Sequence, residues 1–225
     1  MFYDDEYNEF RQPERVSHVR VLHASPNAPR VDIYANDRLI ARNILYKEFS
    51  EYRRIPSGNY RIRVYPAGKT KNPVISTRLT AIPGSILTLA VIGMLPNVNI
   101  LPVLEPRFPQ SLGRSCVRFV HVSPNAPSVN ISTSSGTGLF KNVSYKNITN
   151  YACIAPSNYT FQLRSSKTNN VVLTVPNVRL LPNKFYTVYI VGLVVKTPPL
   201  QALVALDGRT YIKRSDEVPL NYDQV

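Results

Sequence analysis

His23, Ser25 and Asp32 are the residue types of a hydrolase triad, and His121 and Ser123 repeat the first two of them further along the chain. Nucleophilic catalysis needs a serine hydroxyl within hydrogen-bond reach of the imidazole and a carboxylate that orients the ring. The second set breaks that requirement, because Asn130 stands where the first has Asp32. Both histidines instead precede one pentapeptide, Ser25-Pro26-Asn27-Ala28-Pro29 and Ser123-Pro124-Asn125-Ala126-Pro127. Each proline fixes its own φ and biases the residue before it towards extended geometry. An asparagine between them suits a turn, by bonding its own nearby backbone or by taking a left-handed conformation. The pattern predicts stiff structural corners made by His23, Ser25, Asn27, His121, Ser123 and Asn125, with the histidines at the edge of a core and no catalytic residue.

Other chemistries lack their residues. There is no phosphate-cradling glycine loop, no HExxH and no nucleophile elbow, and His18 has no carboxylate or cysteine companion at ligand spacing. No enzyme, metal or cofactor is expected. Cys116 and Cys153 lie in one half of the chain with no counterpart pair in the other, so two reduced, buried thiols are expected, with a Cys116–Cys153 disulfide as the alternative.

The elements that carry these residues are duplicated. Val19-Arg20-Val21-Leu22-His23 aligns with Val117-Arg118-Phe119-Val120-His121. Asn43, Tyr46, Lys47, Tyr52, Ile55, Asn59, Tyr60 and Gly93 then correspond to Asn142, Tyr145, Lys146, Tyr151, Ile154, Asn158, Tyr159 and Gly192. A period near 100 residues is a repeated domain, too long for a solenoid unit, and 225 residues suffice for two cores. With 19 prolines and runs rich in Val, Ile, Tyr and Thr, the chain is expected to be all-β. Strands are predicted at 18–24, 30–34, 47–55, 60–65, 74–79, 86–92 and 99–104. They imply two tandem antiparallel β-sandwiches of immunoglobulin-like or transthyretin-like type, at 16–106 and 115–213. A short linker at 107–114 suggests sandwiches set end to end with limited hinge freedom.

His-x-Ser-Pro-Asn-Ala-Pro followed by Val31-Asp32-Ile33-Tyr34, and then the Tyr52-to-Tyr60 turn with Ile55-Pro56-Ser57-Gly58-Asn59, resembles the bacterial domain-of-unknown-function family 4397. Both repeats resemble it, although the second reads Ile154-Ala155-Pro156-Ser157-Asn158-Tyr159 at the turn. The resemblance implies tandem β-sandwich copies of a kind often exported, and it brings no catalytic residues.

Charge separates the body from its ends. The net charge is +13, yet residues 1–15 carry two basic and five acidic side chains and residues 214–225 carry one and three. The N-terminal segment also holds Phe2, Tyr3, Tyr7 and Phe10, the composition of an assembly arm that docks on a neighbouring copy. The expected role is a non-enzymatic structural or surface protein that forms homo-oligomers or polymers through this arm, as in a spore coat, exosporium or appendage. The alternative is a basic module for an anionic envelope polymer or glycan, with Arg53, Arg54, Arg61 and Arg63 as its contacts. Neither RNA-binding motifs nor zinc fingers are present, so sequence-specific nucleic-acid binding is not expected. The N-terminus lacks the pattern of a secretory signal and no run is apolar enough to span a membrane. Synthesis in the cytosol, with release to a spore or cell surface by mother-cell lysis, is the expected route.

Overall fold

The computed structural model describes residues 16–105 and 112–212. The arm at 1–15, with Phe2, Tyr3, Tyr7 and Phe10, lies outside the described residues, as do most of the linker and the acidic C-terminal segment.

Strands in the first half are β1 (Val16–His23), β2 (Val31–Ala35), β3 (Arg38–Ile44), β4 (Arg53–Pro56), β5 (Gly58–Pro66), β6 (Ile75–Ala81), β7 (Ile86–Met94) and β8 (Asn97–Glu105). The second half repeats them as β9 (Ser115–His121), β10 (Val129–Thr133), β11 (Gly138–Val143), β12 (Ala152–Ile154), β13 (Ser157–Ser165), β14 (Val171–Leu180), β15 (Lys184–Val191) and β16 (Gln201–Leu206). Each half is a sandwich of two four-stranded sheets, ordered β4-β1-β7-β8 over β3-β2-β5-β6 and β12-β9-β15-β16 over β11-β10-β13-β14. The order differs from the immunoglobulin arrangement of a four-stranded and a three-stranded sheet, which leaves the transthyretin-like alternative. Pairing is antiparallel except at β1/β7 and β9/β15, which run parallel. Of the predicted 47–55 strand only 53–55 is one, within β4, the rest being a turn end and irregular chain that hydrogen-bonds back to His23 and Val21, and 38–44 is a strand that its interrupted apolar pattern concealed.

Alternation along β1 and β7 explains how the layers stack. Val19, Val21, Leu87, Leu89 and Val91 point into the first sandwich with Ile33, Ile62 and Val64. The intervening Leu22, Ala90 and Ile92 point the other way and join Val120, Val122, Tyr189 and Val191 of the second half in a third apolar layer. Strands buried on both faces read as near-continuous apolar runs, as in Ile86–Ile92. The sandwiches therefore pack side by side through their inner sheets, and the end-to-end arrangement is corrected. A short linker limits separation but does not choose which faces meet.

The buried layer also contains charge. Arg20 and Arg118 occupy equivalent sites, 6% and 3% exposed, and donate through Nε to Thr88 and Thr187 at 2.9 Å. Each then crosses to the other half: Arg20 Nη1 donates to the Leu206 carbonyl at 3.2 Å and Arg118 Nη1 to the Leu104 carbonyl at 2.7 Å. Asp207 lies 3.6 Å from Arg20 and 4.0 Å from Arg118, and accepts from Thr187 at 2.8 Å and from the Tyr151 hydroxyl. Glu105, its counterpart, accepts from the Tyr52 hydroxyl and from the Arg209 amide at 2.8 Å. Arg20 stacks over Tyr52 and Arg118 over Tyr151, at 4.6 and 4.7 Å. Burial raises both tyrosine pKa values, which keeps the phenols protonated and donating. Burial, followed by the nearby Asp207, raises Glu105 as well.

Breaking a buried pair by removing one partner typically costs about 3–5 kcal/mol, because the other charge is stranded. Asp207 is the acid within 4.0 Å of both guanidiniums, so Asp207→Asn is expected to lower the unfolding free energy by about that amount, read from urea denaturation. Adding Arg118→Ala to Asp207→Asn should not recover the whole loss, because Arg20 remains without that acid.

Candidate functional site

The two pentapeptide corners are held by the same atoms in each half. His23 is fully buried, its Nε2–H donates to the Pro29 carbonyl at 2.9 Å, and Nδ1 accepts from the Ser25 amide at 3.3 Å. The imidazole thus ties both ends of the pentapeptide together as a neutral ring. His121 Nε2 makes the equivalent bond to the Pro127 carbonyl at 3.2 Å. Ser123 Oγ donates to the Gly192 carbonyl at 2.7 Å. Ser25 Oγ is buried and makes no hydrogen bond among the described residues. Asp32 is turned away from this serine and histidine, since its carboxylate accepts from the amides of Asn43 at 2.6 Å and Gly68 at 2.8 Å. Asn130 accepts from the Asn142 amide at 2.9 Å, so the position organises backbone whichever residue it carries.

The asparagines act differently from the local turn chemistry predicted for them. Neither Asn27 nor Asn125 takes a positive φ. The Asn27 carboxamide pairs with the main chain of Leu95, accepting its amide at 2.9 Å and reaching its carbonyl at 3.5 Å. Asn125 pairs in the same way with Val194, at 2.9 and 3.1 Å. Each pins its corner to the turn that follows the strand parallel to β1 or β9. That partner is 68 or 69 residues away, which puts it beyond any local sequence signal.

Cys116 and Cys153 form a disulfide, which corrects the expectation of reduced thiols. They face each other in register across β9 and β12, a pairing that the sequence spacing alone does not specify. The corresponding pair in the first half is His18 and Arg54.

The four arginines proposed as polyanion contacts do not form one group. Arg53 and Arg54 lie on β4 of the inner sheet, and Arg53 Nε donates to the Ile40 carbonyl at 3.0 Å. Arg61 and Arg63 lie on β5 of the outer sheet and project from its solvent face, opposite the buried Ile62 and Val64. Arg63 pairs with Asp37 at 2.6 Å and reaches the Tyr65 hydroxyl at 3.4 Å. Arg78 of β6 stands directly opposite Arg61. Its alternating context, Ile75-Ser76-Thr77-Arg78-Leu79, marks it as outward-facing, but only the strand register places it against Arg61. Among the described residues no three His, Cys, Asp or Glu side chains are grouped to hold a metal ion, and no helix is long and apolar enough to cross a membrane.

Burial lowers the His23 and His121 pKa values below the ordinary 6.5, opposed by the Pro29 and Pro127 carbonyls. The unfolded chain takes up these protons as pH falls through 6.5, whereas the folded chain does so only at lower pH. Their contribution to stability is thus complete above that value and declines below it. In thermal melts from about pH 7.5 to 5, the His23→Gln/His121→Gln variant is expected to lose less stability on acidification than the unsubstituted protein. His18, lowered by burial and by Arg54, leaves a residual slope, and Glu105, shifted upward, contributes with the opposite sign.

The sequence profile of the "Domain of unknown function (DUF4397)" matches residues 17–132. No curated protein matches. Among solved structures, the chain is similar to the Bacillus anthracis TIE protein, at 13% identity and a TM-score of 0.25, over 83% of this chain and 34% of that one. It thus spans about a third of the TIE chain's length. It is also similar to CBMbc (family CBM26) from Eubacterium rectale Amy13K, solved in complex with maltoheptaose, at 8% identity and a TM-score of 0.27, over 84% of this chain and 96% of that one. Superpositions this loose carry no functional information. The profile runs from β1 through the whole first sandwich and into β10, 116 of 225 residues, and the chain belongs to the DUF4397 family.

Proposed function

We propose that this protein is a non-enzymatic structural building block, made of two tandem copies of the family domain, that polymerises when the N-terminal arm of one copy adds as a strand to the next. The observation that carries this reading is an unguarded sheet edge. β16 is the outermost strand of its sheet and reads Gln-Ala-Leu-Val-Ala-Leu, with no proline and no charge. Its counterpart β8 carries Pro102, a residue that blunts an edge. Beside β16 lies a furrow of about 400 Å³ in which Leu173, Val175, Val178, Ala202 and Val204 are joined by the polar Thr174, Asn177, Arg179 and Gln201. Edge strands of this kind accept extended segments through main-chain hydrogen bonds, and the furrow offers room for alternate side chains. The acidic residues of the arm complement the basic body. A head-to-tail contact of this type grows into a filament unless its rotation closes a ring. The Cys116–Cys153 disulfide supports an oxidising location, consistent with a bacterial surface or spore envelope.

A second reading, a basic module for an anionic envelope polymer or glycan, is favoured by the arginines on the outer sheet of the first sandwich.

Negative-stain electron microscopy of the full-length protein beside a version lacking residues 1–15 tests the first reading. Filaments or rings are expected only with the arm. A Val204→Lys substitution, which places a charge on the exposed edge, should also shorten or abolish them. Dispersed particles from the full-length protein at every concentration tried would remove the arm mechanism.

A further inference from the structure

We infer that the solvent face of β5 and β6 in the first sandwich is a binding site for a linear phosphate-bearing polymer, centred on Arg61 and Arg78 with Arg63 as its next contact; this rests on the second reading above. Arg61 and Arg78 are direct cross-strand partners and both are exposed. Side chains in such positions have Cβ atoms about 4.5–5.5 Å apart, and like charges placed there are destabilising. Among the described residues neither guanidinium has a hydrogen-bond or ion-pair partner. The neighbouring rows pair Asn59 with Thr80 and Arg63 with Ser76, so neither β5 nor β6 sets a carboxylate beside the two guanidiniums, and Asp37 of the turn after β2 is paired with Arg63.

Edge protection explains one of these residues only. β6 is an outermost strand, where a charge discourages further pairing, but β5 lies between β2 and β6 and has no free edge to guard. An arginine there, facing a second arginine, opposes folding locally and is matched by an anion bound between the two. Paired guanidinium forks can each present two N–H donors to one phosphate group. Arg63 sits two residues along the same strand face, about 7 Å away by strand rise. Its partner Asp37 has a side chain 96% exposed, and an ion pair in water of this kind exchanges readily for a ligand anion. The three arginines thus form a small triangle, two across the strands and the third along β5, that can meet successive charges of an extended polymer. Thr160 and Gln162 occupy the positions of Arg61 and Arg63 in the second sandwich, so the site belongs to the first alone.

Binding of inorganic polyphosphate to the full-length protein, followed over a range of salt concentrations, tests the site. Arg61→Gln/Arg78→Gln is expected to weaken binding at least about tenfold and to reduce the slope of log K against log salt by about 1–2. The same variant should melt no lower than the unsubstituted protein, because it relieves a like-charge pair. Arg61→Lys/Arg78→Lys, which keeps the charge without the planar fork, should retain the salt slope with reduced affinity. Lys141→Gln/Lys167→Gln removes equal charge from exposed positions of the second sandwich and should bind as before. Equal losses in the two glutamine variants would overturn the site while leaving a generally basic binder. Absence of polyphosphate binding at low salt would overturn the reading and the site together. Polyglutamate binding as tightly as polyphosphate would overturn the assignment of phosphate.

Discussion

The central strands of each inner sheet are covered on both of their faces, and the rest of the molecule follows from that constraint. β1, β7, β9 and β15 have no solvent side over most of their length, so every polar group in them must find a partner inside the protein. Arg20 and Arg118 meet most of this demand by reaching across the layer to carbonyls of the opposite half and to Thr88 and Thr187, while their Nη2 atoms face Asp207 at ion-pair distance without a hydrogen bond. Apolar packing between the halves is non-directional, and the crossed arginine bonds supply the direction. They fix which residues of one inner sheet face which residues of the other, the role best established for buried polar groups.

The repeated His and Ser-Pro-Asn-Ala-Pro segments answer a related demand at the strand ends. A chain leaving a doubly covered strand must turn sharply, and the turn leaves backbone groups in a buried place. The histidine satisfies one carbonyl in each copy, and in the first also an amide, using the two nitrogens of one neutral ring. The asparagine carboxamide adds a two-bond clasp to the loop across the sheet. His23, His121 and Ser123 direct their side-chain polar atoms at main-chain groups that hold the corner.

The two halves share their topology and differ at the surface. The second half carries the disulfide and the uncharged edge strand, and the first carries the opposed arginines and the proline-guarded edge. Core positions keep their roles between the copies because each is constrained by neighbours on every side. Surface positions were free to diverge.

The all-β character, the duplication and the corner motif were legible in the sequence, because proline punctuation, β-branched composition and a 98–99-residue offset are local or self-referential signals. The apolar run of Ile86–Ile92, interrupted only at Thr88, also carried the information that its strand is buried twice, a signal that points to a second covering layer without naming it. Partners were not legible. Asn27 with Leu95, Arg61 with Arg78 and Arg20 with Leu206 are separated by 68, 17 and 186 residues and are brought together by strand register and sheet stacking. A strand's residue types determine which side chains it offers to each face. Only the tertiary structure decides what lies opposite, because register and layer order are set by the summed burial of the whole chain and not by any segment of it.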